Sequence, residues 1–296
     1  MGDWVVSISG TSVGHNLALG LALLAAFLHA VFGALQKRRY DPWTARTAID
    51  GALVVMSVPL LFLVPLPPLD LWWILAGTVV IHFGYKTLMA LTYDRGAYTV
   101  VYPVVRGTGP LFTVIAAGFI FGERFTPAQW VGVGLLVLGL LGLSLYNLWK
   151  VTVDRDTLLP ALGLAVATGA SVALYTTWDA YGMRAMPDPF TFLAWFFFLA
   201  SLDFPLLALA RGRMRRPELP LLKLGVLGGL IAYGSFGAVM LATRLDSVGE
   251  AAVLRETSVV FAALIGWIWL KEPLGPRRLA LMGLIALGAV VVEFGG

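Results

Sequence analysis

The chain has no cysteine, which excludes disulfides and thiolate metal centres. Charge is scarce as well. Asp, Glu, Lys and Arg make up 13% of the residues, against about 25% in soluble domains, too little to solvate the surface of a water-exposed catalytic domain. There are three histidines, and neither they nor the acids recur at metal-ligand spacing. No nucleophile elbow or phosphate loop occurs. The passage Val105-Arg106-Gly107-Thr108-Gly109-Pro110 has two glycines, but it lies inside an apolar run and lacks the flanking lysine. The chain is therefore expected not to be an enzyme, with no cofactor and no metal. A basic leader is also missing. About the first fifteen residues are weakly polar, and the apolar segment after them is long enough to span a bilayer, so no cleavable signal is expected.

What the chain has is apolar length. Hydrophobic residues reach 59% and mean hydropathy is +0.84, which places it among integral membrane proteins. The formal charge of +4 and pI of about 9.4 would suggest nucleic acid in a soluble protein. Here the basic residues sit at the ends of apolar runs, so membrane topology accounts for them and no nucleic acid is expected.

Runs bounded by charges or Pro/Gly predict spans at 16–36, 47–64, 70–92, 97–121, 128–149, 158–181, 190–210, 219–242, 247–270 and 276–294. The expected class is an all-α integral membrane protein of ten transmembrane helices. The second span is the weakest of the ten, because Asp50 sits near its start.

The chain also repeats itself. At an offset of about 149 residues, the stretch 95–127 falls on 244–276 without a gap: Arg106 meets Arg255, Thr108 meets Thr257, Glu123 meets Glu272 and Pro127 meets Pro276. The register continues through Gly134 with Gly283 and Gly139 with Gly288. Two five-helix halves are thus expected, 1–150 and 151–296. Five is odd, so the second half enters the bilayer from the other side and the repeats are inverted.

Lys and Arg set the orientation. Lys37, Arg38, Arg39, Arg46, Arg95, Lys150, Arg155, Arg211, Arg213, Arg215, Arg216, Lys223, Lys271, Arg277 and Arg278 gather on one side, with Arg124, Arg184 and Arg244 on the other. That bias predicts both termini on the outer, periplasmic side of an inner membrane. At the turns, Thr126 is placed to cap the fifth span with Pro127 at its first position, and Lys271 to Pro276 to do the same before the tenth. Glu123 and Glu272 read as helix end-caps. Gly132, Gly139, Gly142, Gly283 and Gly288 read as points of close helix approach.

The informative residues are those a bilayer should not tolerate. Arg106 lies about ten residues into its span and Arg255 at the matching depth of the repeat, where an arginine costs about 2.5–3.5 kcal/mol on insertion scales. Either they line a wet cavity or they pair with a carboxylate to hold helices together. Glu256 keeps the second explanation open, although neighbours on a helix point about 100° apart and do not readily pair. Tyr102, Arg106, Gly109 and Thr113 form one stripe at helical spacing, and Ala251, Arg255, Ser258 and Ala262 form its counterpart. On the third span His82, Lys86, Met89 and Tyr93 share a face, with Tyr85 adjacent. The first span offers His29 and Gln36, and its repeat offers Tyr175, Trp178 and Asp179. Singly, the aromatic rings are explained as interfacial or core residues, and each histidine as a packed one. Together they suit a small zwitterionic or anionic solute, because a guanidinium binds carboxylate or phosphate with two parallel bonds and rings supply an apolar wall.

Ten spans in two inverted halves, with Gly-Glu-Arg at 122–124 and Lys-Glu-Pro at 271–273 leading into glycine-rich spans, resemble the EamA-type transporters of the drug/metabolite transporter superfamily over nearly the whole chain. The resemblance implies a central cavity lined by the first, third, fourth, sixth, eighth and ninth spans, which puts His29, Tyr85, Lys86, Arg106, Trp178, Tyr233, Arg255 and Glu256 at or near it. It implies a secondary active transporter of a small amino-acid-like or organic-anion metabolite, working by alternating access as an exporter. The expected binding residues are Arg106, Arg255, Lys86, Tyr85, Trp178, His29, Tyr102, Tyr175 and Tyr233. Glu256, His82 and Asp179 are the candidates for proton coupling. The alternatives are a drug or cation exporter of the same superfamily, and a lipid flippase whose arginines hold a head-group phosphate. Partners are then a small-molecule substrate and membrane lipid, with a monomer sufficient and a homodimer compatible.

Overall fold

The computed structural model describes residues 2–35, 40–96, 98–149, 155–213, 218–268, 271 and 275–296. Gln36, Lys37, Arg38, Arg39, Lys150, Arg215, Arg216 and Glu272 lie outside the described residues, as do the turn roles expected of some of them. Among the described residues there is no strand. The helices are α1 (Asp3–Ile8), α2 (Ser12–Leu35), α3 (Pro42–Leu61), α4 (Trp72–Arg95), α5 (Tyr98–Phe121), α6 (Pro127–Leu148), α7 (Arg155–Ala185), α8 (Pro189–Ala200), α9 (Asp203–Ala210), α10 (Leu219–Leu245), α11 (Val248–Arg255), α12 (Ser258–Ile268) and α13 (Pro276–Phe294).

Nine helical stretches among the described residues are long and apolar enough to cross a bilayer, from Ser12–Gly33 to Val248–Ile268. The stretch expected as the tenth, α13, forms a helix of 19 residues, but it carries Arg277, Arg278 and Glu293. Three of the expectations need correction. A short helix, α1, precedes the first span. The seventh and ninth spans, read as continuous, are each broken in two. In the seventh, α8 stops at Ala200 and α9 begins at Asp203, because Pro205 has no N–H to give the preceding turn. In the ninth, the break falls at Glu256–Thr257.

The second span forms a helix. Asp41 caps α3 by accepting from the Thr44 N–H at 3.0 Å, with Pro42 in the first turn. The helix therefore starts earlier than expected and Asp50 falls in its middle, fully buried. Arg46, one turn back, donates through Nε to the Asp50 carboxylate at 3.0 Å, which offsets the burial.

The chain divides into two compact units, one of residues 1–83 and 179–246, the other of residues 84–178 and 247–296. Each takes segments from both sequence halves, and α4 and α7 each contribute to both units. In the first unit α10 packs on α2 and α3. Ser235 donates to the Ala25 carbonyl at 2.8 Å, and Gly225 and Gly228 lie against Ala48 and Ile49. In the second unit α6 packs on α13 around Val133, Leu136, Leu140, Ile285 and Val292. Glycine makes that approach possible: a Cβ on Gly132 would sit 2.8 Å from the Gly288 carbonyl oxygen, and one on Gly139 2.9 Å from that of Leu281. A Cβ on Gly142 would meet the Leu281 side chain at 2.7 Å, whereas Gly283 meets nothing and is no contact point.

Candidate functional site

The site is built where α5 meets the broken helix α11–α12 in the second unit. In the break the backbone bonds shorten from four residues to three. Glu256 N–H bonds to the Val253 carbonyl, Thr257 to Leu254, Val259 to Glu256 and Val260 to Thr257, all near 3 Å. A 3₁₀ turn inside a spanning helix is a common hinge geometry, and here it turns a charged pair, Arg255 and Glu256, out of regular helical register. Irregular backbone at membrane depth persists where protein or a wet cavity surrounds it, and half-helix ends carry dipole charge suited to ions.

Glu256 is 1% exposed. It pairs across helices with Arg106: guanidinium Nε and carboxylate Oε2 lie 2.8 Å apart, in ion-pair contact but off the line a hydrogen bond requires. Its other oxygen is 3.9 Å from Arg255 Nε, a long contact from the neighbouring residue. A second nitrogen of Arg106 donates to the Ser258 hydroxyl. Tyr102, one turn earlier on α5, lies under the guanidinium with the ring centre 5.7 Å away, and Tyr85 and Tyr175 are within its electrostatic reach. Those two rings touch each other at 4.7 Å. Arg106, Arg255 and Lys86 are all buried. Arg106 and Arg255 share Glu256, the one buried carboxylate among the described residues of this unit.

The twelve residues singled out above thus divide. Tyr85, Lys86, Tyr102, Arg106, Tyr175, Trp178, Arg255 and Glu256 belong to the second unit, where Tyr102 and Glu256 contact Arg106 and Tyr85 contacts Tyr175. Trp178 is half-buried on α7. His29, His82, Asp179 and Tyr233 belong to the first unit. There His82 Nε2 and the Asp179 carboxylate form a buried pair at 2.8 Å, with Phe196 edge-on to the imidazole. Tyr233 stacks on Phe197, ring centres 4.1 Å apart, and His29 is half-buried on α2.

Two functional features were not singled out from sequence. Ser258 appeared only as a member of a stripe, yet it holds the guanidinium, and the polar run Arg-Glu-Thr-Ser at 255–258 is the signal for both it and the break. Glu123 caps a helix, but not the one that follows it. Its carboxylate accepts from the backbone N–H groups of Val248 at 2.8 Å and Gly249 at 3.0 Å and from the Ser247 hydroxyl at 2.8 Å, which tethers the start of α11. The helix that follows is capped by Thr126, through the Gln129 N–H at 3.2 Å with Gln129 returning the bond. Before α13, Pro276 takes the expected first position, but Gly275 offers no capping side chain.

The Glu123 clamp makes a prediction. Glu123→Ala frees three donors at the N-terminus of α11, and a lost cap costs about 0.5–2 kcal/mol. The expected result is a lowered thermal midpoint together with weaker ligand binding, because Arg255 and Glu256 ride on the tethered helix. Glu123→Gln, which keeps an acceptor, should lose less. Unchanged ligand affinity in Glu123→Ala would show that the clamp does not position the site.

Comparison with known proteins agrees with the architecture. The model of the EamA-like transporter family matches residues 16–145 and 159–294. The chain is 33% identical over 66 residues to an uncharacterized protein of Sinorhizobium fredii, a match covering 22% of this chain and 56%, about half, of that one. It is 33% identical over 83 residues to a multidrug transporter of Pseudomonas aeruginosa, covering 28% of this chain and 69% of the relative. A protein of known crystal structure superposes with a TM-score of 0.71 at 18% identity, covering 94% of this chain and 95% of that chain; it shares the fold. With the family model matched twice along an all-helical, multi-pass membrane chain, the protein belongs to the EamA-like transporter family of the drug/metabolite transporter superfamily.

Proposed function

We propose that this transporter moves a small anionic or zwitterionic metabolite, of the amino-acid or organic-acid kind, across the inner membrane by alternating access. The observation that carries the reading is the charge count at the hinge. Arg106 and Arg255 are buried with a single carboxylate between them, and two buried guanidinium groups on one carboxylate call for an anion. Arg106 and Arg255 hold the anionic group, Lys86 adds positive potential, and Tyr85, Tyr102 and Tyr175 wall the remainder. Glu256 is an internal stand-in for the substrate. With no anion bound it neutralises Arg106; a proton on Glu256 frees that arginine for the incoming anion, so proton and anion enter together. His82 with Asp179 is the second candidate proton carrier. The two family repeats act as inverted halves of five spans each, α13 completing the second, with both termini outside. Export is the favoured direction, and one chain suffices.

A second reading has its own support. The Pseudomonas relative is named a multidrug transporter, which favours export of drugs, and cationic ones would need Glu256 or Asp179 as their counter-charge.

A thermal-shift screen of the detergent-purified protein against amino acids, organic acids, phosphonates, nucleotide sugars and cationic drugs separates the two. A ligand at a hundred times its dissociation constant stabilises by about 2.7 kcal/mol. Stabilisation by an anion, lost in both Arg106→Ala and Arg255→Ala, is the expected result. Stabilisation by cations alone would replace this reading with drug export.

A further inference from the structure

One cavity is lined by none of the twelve residues above. It is a groove of about 790 Å³ in the first unit, between α3, α9 and α10. Its α3 wall is one helical face, with Trp43, Thr47, Gly51 and Val55 at successive turns. From Trp43 to Val55 the helix rises about 18 Å, close to the thickness of one hydrocarbon leaflet, about 15 Å. Leu207 and Ala208 of α9 and Leu222 and Gly225 of α10 form the other walls, and the lining is almost wholly apolar below the level of Thr44.

The mouth is different. Arg211 and Arg213, just past the end of α9, stand there with Asp41. The Asp41 carboxylate is engaged at the α3 N-terminus through the Thr44 N–H. Among the described residues neither arginine has an acidic partner; the Arg211 guanidinium lies over Trp43 at 6.0 Å, and Trp43 in turn stacks on Phe204 at 5.4 Å. An apolar slot one leaflet deep, opening on two exposed guanidinium groups and an interfacial tryptophan, has the shape and charge of a phospholipid. We propose that the groove is a binding site for an anionic phospholipid, one acyl chain lying along α3 and the phosphate held by Arg211 and Arg213. This lipid is bound rather than carried, because the groove contains none of the buried charge assigned to transport.

Delipidated protein in detergent, incubated with phosphatidylglycerol or with phosphatidylcholine of the same chains and analysed by native mass spectrometry, tests the proposal. The parent should retain phosphatidylglycerol over phosphatidylcholine on the order of tenfold, given about fivefold per interfacial arginine. Arg211→Gln with Arg213→Gln should bring the two lipids to parity. Gly51→Leu, whose new Cβ would meet nothing nearer than Pro205 Cγ at 4.0 Å, should fill the slot and lower retention of both lipids while leaving the anion-induced thermal shift intact. That shift also reports that the variant is folded. Equal retention of both lipids by the parent, or retention unaffected by either set of substitutions, would overturn the site. So would full competition by water-soluble glycerophosphoglycerol, which would make it a plain anion site.

Discussion

Replacing Arg106 with alanine is expected to lower the thermal midpoint by roughly 10 °C, while Arg255→Ala changes it little. The difference follows from who holds Glu256. Its carboxylate is 1% exposed, 2.8 Å from Arg106 and 3.9 Å from Arg255. Removing Arg106 strands a buried charge, and breaking a buried pair costs about 3–5 kcal/mol, which corresponds to a shift of that size in a protein of this length. Removing Arg255 leaves Glu256 its closer partner, Arg106 at 2.8 Å. The double variant Arg106→Ala with Glu256→Ala should recover most of the loss, because both halves of the pair go together. It should not recover ligand binding or transport. Differential scanning fluorimetry of the four proteins reads the cycle. A double variant no more stable than Arg106→Ala would mean that the two residues are not coupled. Undiminished transport of anions in both single arginine variants would remove the two-arginine site.

Glu256→Gln is expected to do the reverse to binding. Glutamine keeps the shape and a hydrogen-bonding oxygen beside Arg106 but removes the competing charge, so anion affinity should rise by about tenfold or more, equivalent to at least about 1.4 kcal/mol. It should also lose its pH dependence. Under the proposed coupling, a proton taken up by Glu256 in the parent strengthens anion binding as pH falls; in the variant there is no proton to bind. The charged groups facing this carboxylate are Arg106 and Arg255, with the Tyr102 ring beside Arg106. Calorimetric titration of the ligand between about pH 5 and 8, with His82→Gln in parallel, assigns the carrier. A flat profile in Glu256→Gln and a sloped one in His82→Gln is the predicted pattern. The opposite pattern moves proton coupling to the His82–Asp179 pair. Transport in Glu256→Gln should fall even as binding strengthens, because an anion that is not opposed by a carboxylate leaves slowly and carries no proton.

Much of this was legible one segment at a time. Spans follow from the length of apolar runs, the repeat from self-comparison, and the suspicion attached to Arg106 and Arg255 from the cost of a charge in hydrocarbon. The glycine contacts were legible because a bilayer offers no other cheap way to bring two helices close, and Gly132, Gly139, Gly142 and Gly288 do so; Gly283 shows that a glycine in the right register need not find a neighbour. Glu123 was readable as a cap, but not as the cap of α11, because a carboxylate at a turn can serve any helix start within reach.

By itself, then, the sequence determined a multi-pass helical membrane protein of two repeats with cations in its interior. These are properties of hydropathy and periodicity, which act over one helix. The tertiary structure decided that Glu256 serves Arg106 rather than its neighbour Arg255, that the ninth span breaks at this carboxylate, that Tyr85 meets Tyr175 and that His82 pairs with Asp179. Each of those depends on which helix faces which. That choice is made by packing among residues far apart in the chain, such as Arg106 and Ser258 at a separation of 152 positions, where no local pattern in the chain records the partner.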